Sequence, residues 1–325
     1  MARILSIALN PTIDVSCDAD RVQPMHKTRT TNVRHHPGGG GINVARVLSE
    51  LGQEPGLLYL SGGSTGKLLQ GFLEEMPLEL HRFAIAEDIR LAYTVHEEQS
   101  GFEYRFVPEG PEVGEAELAP VFAFLEGCSA DYIVASGSLP RGVPADTYAR
   151  VAGLAQKTGA RFVFDASGPA LHPVLETRSV FLFKPSIGEL EAYARRPLDE
   201  EGARQVAEDL VSSGAARYVA LTFGTKGAML AGPDGILRIP SIHVSAKSAV
   251  GAGDSFVAAM TFAMSRGVAA EEAFRFANCV GAAGAMTYGT DLCRVSDVLT
   301  LYNADCRARQ SKMVPELGNI GRSVR

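Results

Sequence analysis

The sequence predicts an α/β fold, with a mostly parallel central sheet between helices and a smaller β sheet set apart as a lid. Three observations predict it. Strand-like and helix-like runs alternate along most of the 325 residues. The strands read apolar on both faces, as strands covered by helices on both sides do. Two stretches carry β material without crossover helices between them. The length suits one large α/β domain or two ordinary ones, and no linker or internal repeat divides the chain.

Taken in order, residues 3–9 read as the first strand. Residues 12–34 are polar and extended, with no helical period. A helix follows over 42–51, with Ile42, Val44, Ala45, Val47, Leu48 and Leu51 on its apolar side. A strand at 57–60 and a helix at 65–75 continue the alternation. Residues 90–107 read as a hairpin turning at Gln99-Ser100-Gly101. Strands at 131–135, 161–165, 180–183 and 217–222 then interleave with helices at 145–158 and 202–213. The last third turns helical, at 251–265, 270–287 and 296–303, and residues 307–325 read as a loose tail.

Composition narrows the function classes. A hydrophobic content of 46% excludes a disordered chain. A net charge of -6 and a pI near 5.7 argue against nucleic acid or an anionic membrane as the partner. Five scattered cysteines with no CxxC pair fit reduced thiols in a cytoplasmic protein better than disulfides or zinc. The apolar run at residues 4–9 stops at Asn10-Pro11, so it reads as a buried strand and not a leader. No run approaches the roughly 20 apolar residues of a membrane helix.

The segment from Ser248 to Met260 passes abruptly from the glycine-rich turn Gly251-Ala252-Gly253-Asp254 into an apolar helix. Free N–H groups at such a helix start make a seat for a phosphoryl group, and Asp254 falls in the first turn within reach of the same ligand. A base that accepts the proton of an attacking hydroxyl is what phosphoryl transfer asks of a protein. Read alone, the segment fits an ordinary helix N-cap equally well. No GxxxxGK[ST] occurs, which argues against a P-loop enzyme.

A second glycine cluster, Pro37-Gly38-Gly39-Gly40-Gly41-Ile42-Asn43, leads straight into a patterned helix. Each glycine costs roughly 0.5–1 kcal/mol relative to alanine in regular structure, so four in a row point to close backbone contact with a ligand. Asn43 offers an amide that both donates and accepts. Asp14 follows the C-terminal end of the first strand, where ligands gather in open α/β sheets, although by itself it reads as a surface turn residue.

Lys27 and Arg29, two apart, would share a face if that stretch is a strand. Arg90 and Arg105 sit on the hairpin. Such cations suit a phosphate carried by the substrate, and solvated edge-strand charge accounts for them equally well. Lys184-Pro185-Ser186 leads to Glu189, a carboxylate for magnesium or simply a helix start. Thr222-Phe223-Gly224-Thr225-Lys226-Gly227 serves a nucleotide or a plain hairpin. Gly62 to Gly66 is a poor dinucleotide fingerprint, and His35-His36 reads as surface loop.

These pieces in this order resemble the ribokinase-like (PfkB) carbohydrate kinases from about residue 2 to residue 303. The likeness rests on GGGGINVAR near the front and AVGAGDSFVAA near the back. The resemblance implies a three-layer α/β/α sandwich over residues 1–306, with the lid inserted from about 12–34 and 90–107, ahead of the 307–325 tail. Asn10 to Asp14 and Ser136-Gly137-Ser138-Leu139-Pro140 place it nearest the branch of phosphofructokinases, tagatose-6-phosphate kinases and 1-phosphofructokinases. Glycine at position 40, where the last two usually have lysine, favours the minor bacterial 6-phosphofructokinases.

The expected reaction is therefore ATP-dependent conversion of fructose 6-phosphate to fructose 1,6-bisphosphate. Tagatose 6-phosphate and fructose 1-phosphate remain as alternative substrates, and a non-catalytic sugar-phosphate sensor as an alternative role. By resemblance, Asp254 is the proton acceptor, and Gly251, Ala252 and Gly253 form the anion hole with it. Asp14, Gly38, Gly39 and Asn43 hold the sugar, while Lys27, Arg29, Arg90, Arg105 and Ser138 hold its phosphate. Lys184, Ser186, Thr222, Gly224, Thr225, Lys226 and Gly227 line the ATP site, with Glu189 acting on Mg²⁺. Ser248, Val250, Gly284, Thr287 and Gly289 form a loop for a monovalent cation such as K⁺. The lid strands pair two subunits into a homodimer. Two departures stand out: Ser186 replaces the asparagine of the family's Asn-x-x-Glu, and Asp291 replaces a basic residue.

Overall fold

A computed structural model describes residues 2–318, 320 and 321. The chain opens with β1 (Ile4–Ala8), β2 (Thr12–Ala19), β3 (Thr31–Gly38), α1 (Gly40–Glu50), β4 (Gly56–Ser61), α2 (Gly63–Glu74) and β5 (Glu79–Ala84). It continues with β6 (Arg90–Glu97), β7 (Glu103–Phe106), α3 (Glu115–Glu126), β8 (Tyr132–Ser136), α4 (Thr147–Thr158), β9 (Arg161–Asp165) and α5 (Leu171–Glu176). Next come β10 (Val180–Phe183), α6 (Ile187–Ala194), α7 (Glu200–Ser212), β11 (Ala216–Thr222), β12 (Ala228–Gly232) and β13 (Gly235–Ile239). Four helices close the chain: α8 (Ala252–Ser265), α9 (Ala270–Ala285), α10 (Val295–Ala308) and α11 (Pro315–Gly318).

Nine strands form the main sheet in the order β13-β12-β11-β10-β9-β8-β1-β4-β5. Pairing is parallel from β11 to β5 and antiparallel only where β12 and β13 extend the edge. Alternate side chains of one strand feed opposite cores, as the two-residue period requires. On β8, Ile133 and Ala135 join the core under α3, α4 and α7, while Tyr132 and Val134 join the core under α1, α8, α9 and α10. Burying Phe162 or Phe164 contributes on the order of 2 kcal/mol each. Both faces of the sheet are thus covered, and a three-layer sandwich results.

The second sheet has the order β3-β2-β6-β7. Its roots meet at Thr12, which pairs with Gly38 on one side and Arg90 on the other. This corrects the reading of 12–34 as one extended stretch. Two strands occupy it, and β3 runs on through His35, His36 and Pro37 into the glycine turn. His35-His36 is therefore strand, not loop. Lys27 and Arg29 belong to the connection between β2 and β3, off any strand and exposed, so the shared-face argument does not apply to them. Pro24 in that connection lacks the N–H a ladder needs.

The segment after α10 also differs from a loose tail. Helix α10 runs to Ala308, and Leu317 and Ile320 are buried in the helical core, with Val314 packed against it. The rest of the predicted tail, Asn319 and 322–325, lies outside the described residues. Among the described residues no helix is long and apolar enough to cross a membrane.

Candidate active site

Parallel strands β1, β8, β9 and β10 all end at one rim of the sheet, and a cleft of about 260 Å³ opens there. Its lining comes from both glycine turns: Gly40 on one side, Gly253 and Asp254 on the other, with Ser136, Asp165, Lys184 and Glu189 between them.

The four-glycine turn is built for contact. A Cβ on Gly38 would run into the Asp14 carboxylate, on Gly40 into Ser136 Oγ, and on Gly41 into the Ile7 carbonyl. Gly39 caps α1 at φ 98°, a region that side chains avoid. Side chains on these glycines would push α1 off the sheet. Across the cleft, Gly251 caps α8 at φ 73°. The amide of Ser255 returns to the Gly251 carbonyl at 2.8 Å. The amides of Ala252, Gly253 and Asp254 precede it, at the positive end of the helix. A Cβ on Gly253 would lie 3.3 Å from Lys184 Nζ, so the glycine keeps the space beside that cation open.

Asp254 joins the two turns. Its Oδ2 accepts from Asn43 Nδ2 at 2.9 Å, and its Oδ1 accepts weakly from Ser136 Oγ at 3.3 Å. Burial pushes its carboxyl above the ordinary carboxylate range, opposed by the Asn43 bond and the Lys184 charge. Lys184 Nζ pairs with Asp165 Oδ1 at 2.9 Å, both side chains buried. Burial raises the Asp165 pKa to about 6 against the pull of Lys184. Burial also works against the Lys184 charge, but Asp165, Glu189 and Asp254 together outweigh it and hold the ammonium charged. One ammonium amid three acidic side chains at a cleft leaves an acidic site that attracts further positive charge.

On the lid side, Asp14 points toward Gly38. Its pKa is raised to about 6 by burial, with Arg46, Arg90 and Arg105 pulling the other way. Arg90 sits at the lid root, donating from Nη2 to the Asn10 carbonyl at 3.0 Å and from Nη1 to the Pro108 carbonyl at 2.9 Å. Its Nε is buried without a protein partner. Ser138 Oγ accepts from Asn10 Nδ2 at 3.1 Å.

Residues 1–297 match the family model described as pfkB family carbohydrate kinase. The chain is 39% identical over 299 residues to the ATP-dependent 6-phosphofructokinase isozyme 2 of Mycobacterium tuberculosis, covering 91% of this chain and 88% of the relative. It is 34% identical over 304 residues to the isozyme 2 of Escherichia coli, covering 93% of this chain and 98% of the relative. The crystal structure of phosphofructokinase-2 from Escherichia coli in complex with potassium superposes with a TM-score of 0.89 at 33% identity, covering 94% of this chain and 99% of that one. The chain is a pfkB family carbohydrate kinase.

In this kinase most of the residues expected to line the nucleotide site lie around the end of β11. The Thr222 amide donates to the Pro185 carbonyl at 3.0 Å, and Gly224 to Lys226 form a short turn into the antiparallel strand β12. Thr222, Gly224, Thr225, Lys226 and Gly227 thus make a hairpin beside the cleft, not part of its described lining. Ser186 caps α6 in a reciprocal box, its amide donating to Glu189 Oε2 at 2.7 Å and its Oγ accepting from the Glu189 amide at 3.3 Å. Glu189 is accordingly both the helix-start carboxylate and a cleft residue.

The predicted cation loop is two segments side by side. Ser248 Oγ receives the Val250 amide at 3.2 Å and donates to Glu103 Oε1 of β7 at 2.9 Å. Thr287 Oγ1 bonds the Gly284 carbonyl at 2.9 Å, and Gly289 packs against Ser16 of β2. The lid therefore rests on the loop. Among the described residues no cluster of three or more His, Cys, Asp or Glu could hold a metal.

Sequence reasoning missed Asp165, the Ser136 hydroxyl and Arg46 as parts of the site. Asp165 and Ser136 end β9 and β8, so the strand-end rule applied to Asp14 would have found them.

Proposed function

We propose that this kinase transfers the γ-phosphoryl group of ATP to the C1 hydroxyl of fructose 6-phosphate. The observation that carries the reading is the 2.9 Å bond between Asn43 and Asp254, which ties the sugar-side turn to the phosphoryl-side helix in one cleft. Asp254 takes the hydroxyl proton on Oδ1, the oxygen with the weaker hydrogen bond, as oxygen attacks phosphorus in line. The amides of Ala252, Gly253 and Asp254 and the Lys184 ammonium face the charge that develops on the transferred group. Asp14, Gly38, Gly39 and Asn43 bind the sugar hydroxyls. Arg90, Arg105, Ser138, Lys27 and Arg29 bind the 6-phosphate.

Magnesium, when bound, supplies positive charge at the phosphate oxygens. The oxygen-only chemistry of Glu189 fits it, and Ser186 holds that carboxylate. Thr222, Gly224, Thr225, Lys226 and Gly227 flank the nucleotide. Ser248, Val250, Gly284, Thr287 and Gly289 hold a potassium ion, the ion named with the Escherichia coli structure. Two subunits pair through their lids, and the enzyme works in the cytoplasm.

The test is ADP release across fructose 6-phosphate, tagatose 6-phosphate, fructose 1-phosphate and free fructose. The expected result is the highest kcat/KM with fructose 6-phosphate. Preference for another sugar replaces the substrate, and no release with any of them defeats the reading in favour of a sensor.

A further inference from the structure

Arg46 lies one turn beyond Asn43 on α1, so the two side chains share a face of the helix. Its Nη1 donates to the Pro37 carbonyl at 3.0 Å and reaches Asn43 Oδ1 at 3.5 Å. Asn43 is almost fully buried. An amide in that position is oriented by its partners alone. With oxygen toward a guanidinium, the nitrogen must face Asp254, which is the donor the carboxylate needs. Turned over, the amide would set its oxygen against that carboxylate.

A guanidinium that is partly buried still needs counter-charges, and Arg46 has two. Asp14 stands on the lid side and Asp291 on the other. Asp291 in turn holds His36 Nε2 of β3 at 3.2 Å and lies 4.0 Å from Arg34. Position 291 is where this chain departs from its resemblance by carrying an acid. That acid accounts for how a cation is kept between the sugar turn and the following loop.

We infer that Arg46 is a positioning residue for the transfer: it locks the Asn43 amide and the Pro37 end of the glycine turn, and thereby aims the Asp254 carboxylate. This rests on the reaction proposed above. Its charge also acts on Asp14, which faces Arg46 from α1, Arg90 from β6, Arg105 from β7 and Asp254 from α8. Loss of the Arg46 charge therefore raises the pH at which Asp14 takes up a proton.

The test compares Arg46→Lys with Arg46→Gln. Lysine keeps the charge but, as a point donor, cannot reproduce the guanidinium's geometry toward both oxygens. Expected for Arg46→Lys is a fall in kcat of about tenfold or more with the acid limb of the kcat/KM profile in place. Expected for Arg46→Gln is the same fall, plus a sugar KM raised while the ATP KM stays and an acid limb moved to higher pH. A purely structural role would move both KM values together and leave the limb alone. That pattern, or wild-type kinetics in Arg46→Lys, overturns the inference; should Arg46→Gln fail to fold, Arg46→Lys decides. If the wild-type enzyme phosphorylates no sugar, the functional reading fails by itself. The crystal structure of Arg46→Lys then judges Arg46: Asn43 turned away from Asp254 supports the inference, and Asn43 unmoved contradicts it.

Discussion

Asp14 is held in its ionised form at a cost to folding. Its folded pKa near 6 exceeds the ordinary 3.8, so the folded chain binds the proton more tightly than the unfolded chain between those values. Stability from this group is complete below pH 3.8 and is lost as pH rises through about 6. Asp14→Asn should therefore stabilise the protein at pH 8, by ~3 kcal/mol at most, and much less at pH 4.5, while sugar affinity falls. Thermal unfolding at the two pH values checks this, and an equal change in Tm at both would mean that Asp14 is not desolvated. The glycine turn shows the same conflict between site and fold. Its direct lead into a patterned helix already argued against a flexible loop, and in the fold each of three glycines is excluded from growing a side chain by a named neighbour.

At the scale of elements, α6 carries a departure that sequence alone left ambiguous. Serine in place of the family asparagine at 186 forms a complete capping box, and both Ser186 groups bond Glu189 Oε2. Ser186→Ala should lower stability by about 1 kcal/mol, and, by loosening Glu189, raise the Mg²⁺ concentration for half-maximal rate. Ser186→Asn, another good cap, should preserve stability. Urea melts and a Mg²⁺ titration read both effects, and an alanine variant with unchanged melts would show that the cap contributes nothing.

Elements with a clear period were legible: α1, β8, β9 and β11 fall within a residue or two of their predicted spans. Less so were β3 and β5, edge strands with exposed polar faces, whose pairing depends on neighbours remote in sequence. The Asp165–Lys184 pair joins the ends of two neighbouring strands, and only the parallel register brings them together. The tail's buried Leu317 and Ile320 follow Val314 at intervals of three, a helical signal that its Arg- and Ser-rich surroundings concealed.

Across the whole molecule, the lid separates two tasks by the strand period of two. Glu103 and Arg105 share one face of β7, where Glu103 meets Ser248 and Arg105 acts on Asp14. Tyr93 and Phe106, directly opposed across β6 and β7, stand 42% and 57% exposed. Exposed apolar pairs on a small sheet fit a second copy. If two lids pair as proposed, Phe106→Asp should convert the dimer into monomers in sedimentation, and a wild-type protein that sediments as a single chain contradicts the lid pairing.

The central claim is that one carboxylate, held between two glycine-built turns, takes the proton during transfer. Single-turnover ADP formation by Asp254→Asn with fructose 6-phosphate tests it most directly. The account predicts a rate about 10²–10⁴ below wild type with ATP and sugar still bound. A rate near that of wild type would contradict it.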